Sequence, residues 1–472
     1  MDKIEWKIAK KIPYSVLVFL FSIGTILGGF YLYKTQRHRL VILLAGISFV
    51  LILIFLNPAQ IAIGLIWITQ IFPMDTAIPL GSVKARPCEL YGLIIIPVWL
   101  ILYVLPERKR MEIKFGWMEF FLSMYILVLI ISMIQGIVAG NYKGLNGSMF
   151  RIDVFRGPFY FFLFFFFIKV INLKDELEET FVKQWFYATI ATCLVLASMI
   201  IIRAITRASF SLWGFNVQLF SFGWGFSFAL GLIVNKRWFL LSLFYSVVLF
   251  YFASRTVFGV IILIYFFIIL FWLFTIPRKK RFITGLKIAL ATVGTIFLII
   301  VIIDVAASIT QRVGVIALLS RMEVIFKPRY IRYVPSLQAR FLECLEAIHL
   351  WKQSNFWVGT ALGERFATTM VGALAAIDVL YFTILAKTGI LGLFSFLAMF
   401  AAFFARTLKV FKNIELIESK FMRAFVLNCA AVIPTSLIMG ITMSHLWFGN
   451  ACLLYTSPSP RDLSTSRMPS SA

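Results

Sequence analysis

The sequence predicts an all-α polytopic membrane protein, with about 12–14 transmembrane helices and one long extracytoplasmic loop. Three observations predict it. Of 472 residues, 61% are hydrophobic and only 14% charged, and the mean hydropathy is +0.93. Soluble domains carry about 45–50% apolar and about 25% charged residues, so this excess does not fit inside one core. Uninterrupted apolar runs of roughly 16 to 21 residues recur along the chain, and each is long enough to cross a bilayer. Runs such as 161–167 do not alternate, which excludes a β-barrel. A soluble enzyme, a disordered chain and a disulfide scaffold are excluded on the same grounds. Five cysteines in no motif argue against a metal cluster, and no metal or cofactor is expected.

The spans follow in order. Hydropathy places them at 13–33, 40–56, 59–72, 91–105, 117–136, 158–171, 184–202, 215–234, 238–253, 257–276 and 283–303. After a hydrophilic interval come 390–405 and 424–443, with a last span opening near Trp447. Residues 1–303 therefore form an N-terminal set of transmembrane helices, 304–389 an extracytoplasmic loop with short helices, and 390–451 a C-terminal set. Residues 452–472 resemble a translated sequencing adapter, so a native chain is expected to continue past Ala451. The net charge of +24 would suggest nucleic acid in a soluble protein. Here basic cytoplasmic loops account for it, and no nucleic-acid partner is expected. Lys3 to Lys11, Arg108 to Lys114, Lys236 with Arg237, Arg278 to Arg281, and Arg406 to Lys420 all fall on one side. Only Lys34, Arg37 and Arg39 disagree, which leaves the orientation of the first three spans open.

The other side receives the loops 74–90 and 137–157, the turn Ser254-Arg255-Thr256, and the interval 304–372. That interval is basic, against the positive-inside tendency, so it calls for another cause. Arg255 lies between two apolar spans. It either snorkels to the interface or holds a phosphate, whose oxygens match the planar guanidinium fork. Arg340 opens an amphipathic helix over 336–352, on one side with Glu343, Ala347 and Leu350. His349 falls on the opposite face and reads as a surface residue. Gly359 and Gly363 permit close backbone approach and φ > 0, or simply mark a turn. Asp378 stands in an apolar stretch, where burial would raise its pKa toward that of a general base; a packing or capping aspartate is the other reading. Arg156, Gly359, Gly363 and Arg365 complete the candidate substrate-binding set. Trp213, Trp224, Trp272 and Trp447 read as interfacial residues.

Taken in order, Arg255, the long loop, Arg340, Gly359-x-x-x-Gly363, Asp378, Leu380-Tyr381 and Leu385-Ala-Lys-Thr-Gly389-Ile-Leu-Gly392 resemble the O-antigen ligase/polymerase family. The resemblance is specific over 254–405 and elsewhere rests on span number and hydropathy. It implies an inverting, metal-independent membrane glycosyltransferase that takes glycan from an undecaprenyl-diphosphate carrier. A lipid-linked oligosaccharide and membrane lipid would be its partners, alongside other polysaccharide assembly proteins. The location implied is the cytoplasmic membrane, with the active face extracytoplasmic. By position Arg255 and Arg340 would hold the diphosphate and Asp378 would act on the acceptor hydroxyl. Ligase members carry His-Asn where this chain has Asp378-Val379, a departure that fits a polymerase at least as well. Transfer to another acceptor by a ligase, and transport by a flippase of lipid-linked glycans, are the alternatives.

Overall fold

The computed structural model describes residues 78–80, 83–85, 116–139, 161, 177–206, 217–251, 255–277, 279, 281–283, 285, 335–362, 366–368, 372–374 and 379–441. All belong to one compact unit, Ile66–Glu89 with Glu112–Ala472. The spans expected at 13–33, 40–56, 59–72 and 91–105 lie outside the described residues, as do nearly all of 158–171 and 283–303.

The described residues are mostly helical. In chain order they are a hairpin β1 (Ile78–Leu80) and β2 (Val83–Ala85), then α1 (Trp117–Val138), α2 (Leu177–Thr206), α3 (Val217–Ile233), α4 (Trp238–Tyr251) and α5 (Arg255–Thr275). There follow α6 (Pro335–Gln353), a second hairpin β3 (Phe366–Thr368) and β4 (Gly372–Leu374), α7 (Leu380–Lys412) and α8 (Lys420–Met439). Both hairpins are antiparallel, Leu80 facing Val83 and Thr368 facing Gly372 at their tips. Among the described residues, four segments are long and apolar enough to cross a membrane: Trp117–Val138, Glu179–Ser198, Leu380–Lys412 and Lys420–Met439. Parts of α3, α4 and α5 are apolar but shorter.

Apolar sequence alone does not end a helix, so the termini depend on polar groups. At the start of α1 the Glu119 carboxylate accepts from the Gly116 amide at 3.0 Å. Ser419 Oγ accepts from the Met422 amide at the start of α8. Arginines hold the carbonyls of a helix end in one place and of a connecting segment in another. Arg281 donates to the carbonyls of Phe274 and Ile276 behind α5, and Arg423 to those of Glu415 and Ile417 between α7 and α8.

Aromatic packing then fixes the bundle. Trp185 of α2 is fully buried, 4.5 Å from the Phe222 ring of α3 and 6.2 Å from Phe425 of α8. Phe186 meets Phe226, Trp238 and Phe421. The pair α1 and α7 runs antiparallel: Glu119 lies 3.7 Å from Arg406, Tyr125 packs on Phe396, and Ser132 meets Lys387. Phe271 of α5 packs on Phe404 and Phe411 of α7. The end of α8 meets the start of α7, where the Leu380 amide donates to the Gly440 carbonyl and Tyr381 Oη to that of Leu437.

These contacts give the bundle a polarity. The turn carrying Lys236 and Arg237, the C-terminus of α5 with Arg281, and the segment from Arg406 to Lys420 share one end. The start of α5, the end of α8 and the start of α7 share the opposite end. The sequence places its basic loops on one side by charge counting, and the packing gathers the described ones at one end. The element bounds differ most in two places: the helix expected from 184 starts at Leu177, and the span expected over 424–443 is Lys420–Met439. The span expected from 390 coincides with the part of α7 that follows Gly389, and a helical segment from Leu380 precedes it.

Candidate functional site

The opposite end contains a broken helix. Gly389, inside α7, has φ 63° and ψ −165°, a conformation closed to residues with a side chain. It divides α7 into a short first segment, Leu380 to Thr388, and a long second one. A break of this kind frees two carbonyls before it and two amides after it, and in an apolar setting each must find a partner.

The turn after α6 supplies most of them. The Thr360 amide donates to the Ala386 carbonyl at 2.8 Å, and Thr360 Oγ1 to the same oxygen at 3.0 Å. Ser132 Oγ of α1 donates to the Lys387 carbonyl at 2.7 Å. On the other side, the amides of Ile390 and Leu391 donate to the carbonyls of Phe356 and Trp357, each at 3.2 Å. The Leu362 amide reaches the Ser132 carbonyl at 3.1 Å, closing the ring of α1, turn and α7. The turn itself is set by Asn355, whose Oδ1 accepts from the amides of Trp357 and Val358.

Two glycines make the fit. Gly359 has φ +73°, and a Cβ there would lie 2.5 Å from the Ala386 carbonyl oxygen and 2.7 Å from the Gly389 nitrogen. A Cβ on Gly389 would fall on the carbonyl of Trp357. The two backbones touch through the space that neither side chain occupies. Ala361 follows at φ 94° and is 2% exposed, a non-glycine residue held in the left-handed region by its surroundings.

The helix α6 lies across the first segment of α7, with Ala347 against Ala386 and Leu350 and Phe382 packed around them. The expected face is the buried one: Glu343 and Ala347 are buried, while His349 is exposed with its ring 3.4 Å from Gln353. Arg340 is half-buried on the same face, two turns before Ala347, or about 10 Å along the axis. Burial pushes the Cys344 thiol up to about 11, with the Glu343 charge adding to the shift.

The candidate residues are placed as follows. Arg255 is the first residue of α5, the start of a helix where a tight turn is expected, and it stands at the end of the bundle opposite the basic loops. Arg340 stands on α6, over the same end. Gly359 sits in the turn against the helix break. Asp378, Arg156, Gly363 and Arg365 lie outside the described residues; Val379, which follows Asp378, caps α7.

One residue at this place escaped sequence reasoning. Lys387 is 1% exposed, two positions before the break. The signal was present: a lysine in an apolar segment, two positions before a glycine, is costly to bury and marks a functional position. Ser132 and Thr360, which serve the freed carbonyls, carry no such signal, because nothing in sequence ties them to residues more than twenty positions away. No protein-family model matches the chain, and no curated protein sequence matches it either.

Proposed function

We propose that this chain is a membrane glycosyltransferase of the O-antigen polymerase type, in the cytoplasmic membrane with its active face extracytoplasmic. It transfers glycan from an undecaprenyl-diphosphate carrier to a lipid-linked acceptor. The observation that supports this reading best is the polarity of the bundle. Arg255, at the first residue of α5, and the helix that carries Arg340 both stand at the end away from the basic loops. If basic loops face the cytoplasm, those arginines face the side where lipid-linked glycans are assembled.

The chemistry asked of them is limited. A lipid diphosphate is a good leaving group and needs its developing charge balanced more than it needs a proton. Two guanidinium groups supply that balance where charge develops. The acceptor hydroxyl must be oriented and lose its proton, and Asp378 accepts it. Attack opposite the leaving group inverts the anomeric centre. Arg156, Gly363 and Arg365 are assigned to the substrate, while Gly359 serves the backbone contact with Gly389.

The test is polymer length in a polymerase-null host carrying Arg255→Ala, Arg340→Ala or Asp378→Asn. Each variant is expected to lose long polymer; wild-type polymer from all three ends the proposal. Transfer to a different acceptor would make the chain a ligase. One observation favours a second reading, a flippase of lipid-linked glycans. Broken helices and buried ionisable groups are features of transporters, and α7 has both at Gly389 and Lys387. Movement of the lipid-linked glycan across vesicles without a change in its length would support it.

A further inference from the structure

We propose that the groove beside the α3–α4 turn is a binding site for one anionic phospholipid. The groove holds about 620 Å³ and is lined by Asn235, Arg237, Trp238, Leu240, Leu241 and Phe244. Its lining grades from polar to apolar in one direction. Asn235 and Arg237 stand in the turn, Trp238 opens α4, and Leu240, Leu241 and Phe244 follow Arg237 at three, four and seven positions. That spacing places them on one helical face, over about 10 Å of rise.

The polar end is built for a single negative charge. Arg237 is exposed, its backbone amide is held by Asn235 Oδ1 at 3.0 Å, and among the described residues no carboxylate pairs with it. Lys236 beside it is also exposed, and neither the turn nor α4 contains an acid. A phosphodiester accepts the guanidinium fork through two oxygens. The apolar end is exposed as well, with Leu240 at 70%, so it offers a wall for an acyl chain. Trp238 is fixed between the two by Phe186, 5.6 Å away. A zwitterionic headgroup would bring its ammonium beside Arg237, the one cation in the lining, which selects for an anionic lipid. The site lies at the basic end of the bundle, where juxtamembrane basic residues attract the anionic leaflet. It is independent of any glycan chemistry at the other end.

The test uses the full chain in neutral detergent and brominated lipids that quench indole fluorescence. The signal of Trp238 is the difference between wild type and Trp238→Phe. Brominated phosphatidylglycerol is expected to bind about fivefold more tightly than brominated phosphatidylcholine, the effect of one basic residue near an anionic headgroup. Arg237→Ala is expected to erase that preference; Arg237→Gln is read the same way should the alanine variant fail to fold. Equal binding of the two lipids, a preference retained without Arg237, or displacement of the lipid by millimolar inorganic phosphate would each overturn the proposal.

Discussion

Alanine at Gly389 is expected to unlock the break in α7. The native conformation at that position is open to glycine alone, so a Cβ costs about 1–3 kcal/mol in backbone strain. The Cβ also falls on the Trp357 carbonyl, so the turn 355–360 has to lift. Lifting it breaks the hydrogen bonds from Ile390, Leu391 and Thr360, each worth about 1 kcal/mol. The expected loss is about 5 kcal/mol in total. Gly359→Ala meets the same backbone from the other side and removes the same contact. The double variant is therefore expected to lose little more than either single one, because the two changes share one structural event. Equilibrium unfolding in mixed micelles measures all three. A loss below about 1 kcal/mol for either single variant, or full additivity of the two, would refute the interlock.

Three further predictions concern the surroundings. In a chain retaining Cys344 as its sole cysteine, maleimide labelling is expected to be slow at neutral pH, because a thiol held near 11 carries little thiolate there. The rate is expected to rise about tenfold per pH unit between 8 and 10, and Glu343→Gln to accelerate it; labelling at the rate of a free thiol would contradict the burial. Arg406→Ala leaves the fully buried Glu119 without its guanidinium and is expected to cost about 3 kcal/mol, against much less for Arg406→Ala combined with Glu119→Gln, read by the same unfolding experiment. Ala361→Gly is expected to stabilise the chain by about 1 kcal/mol by relieving the left-handed backbone, and a destabilised variant would show that the alanine side chain contributes more than its strain costs.

Much of the helical layout was legible because lipid-length apolar runs announce themselves. The helix over 336–352 was readable to within a residue, since Arg340, Glu343, Ala347 and Leu350 repeat at helical spacing. The first segment of α7 was not. Its sequence, Leu380 to Thr388, carries Thr383, Lys387 and Thr388, so hydropathy starts the span at Ile390 and treats Gly389 as its boundary. A helical segment stands before the break at that glycine because a turn some thirty residues earlier takes the freed amides and carbonyls, and no local rule contains that information. Gly359 was legible as a position needing close approach; what it approaches was not. The two hairpins were invisible for a different reason, their three-residue strands being too short to show alternation. Of the proposed catalytic set, Arg255 and Arg340 stood out as cations beside apolar runs; Lys387, outside that set, was hidden among the glycines and apolar residues of 385–392.

The proposal of lipid-linked glycan chemistry rests on the polarity of the bundle, with basic loops at one end and Arg255 and Arg340 at the other. Reconstitution of the purified chain with an undecaprenyl-diphosphate-linked oligosaccharide tests it most directly. Longer glycans on the lipid from wild type, and none from Arg340→Ala with an unchanged unfolding profile, are the predicted result. An unaltered length distribution with the wild-type chain, or equal elongation by the variant, would contradict it.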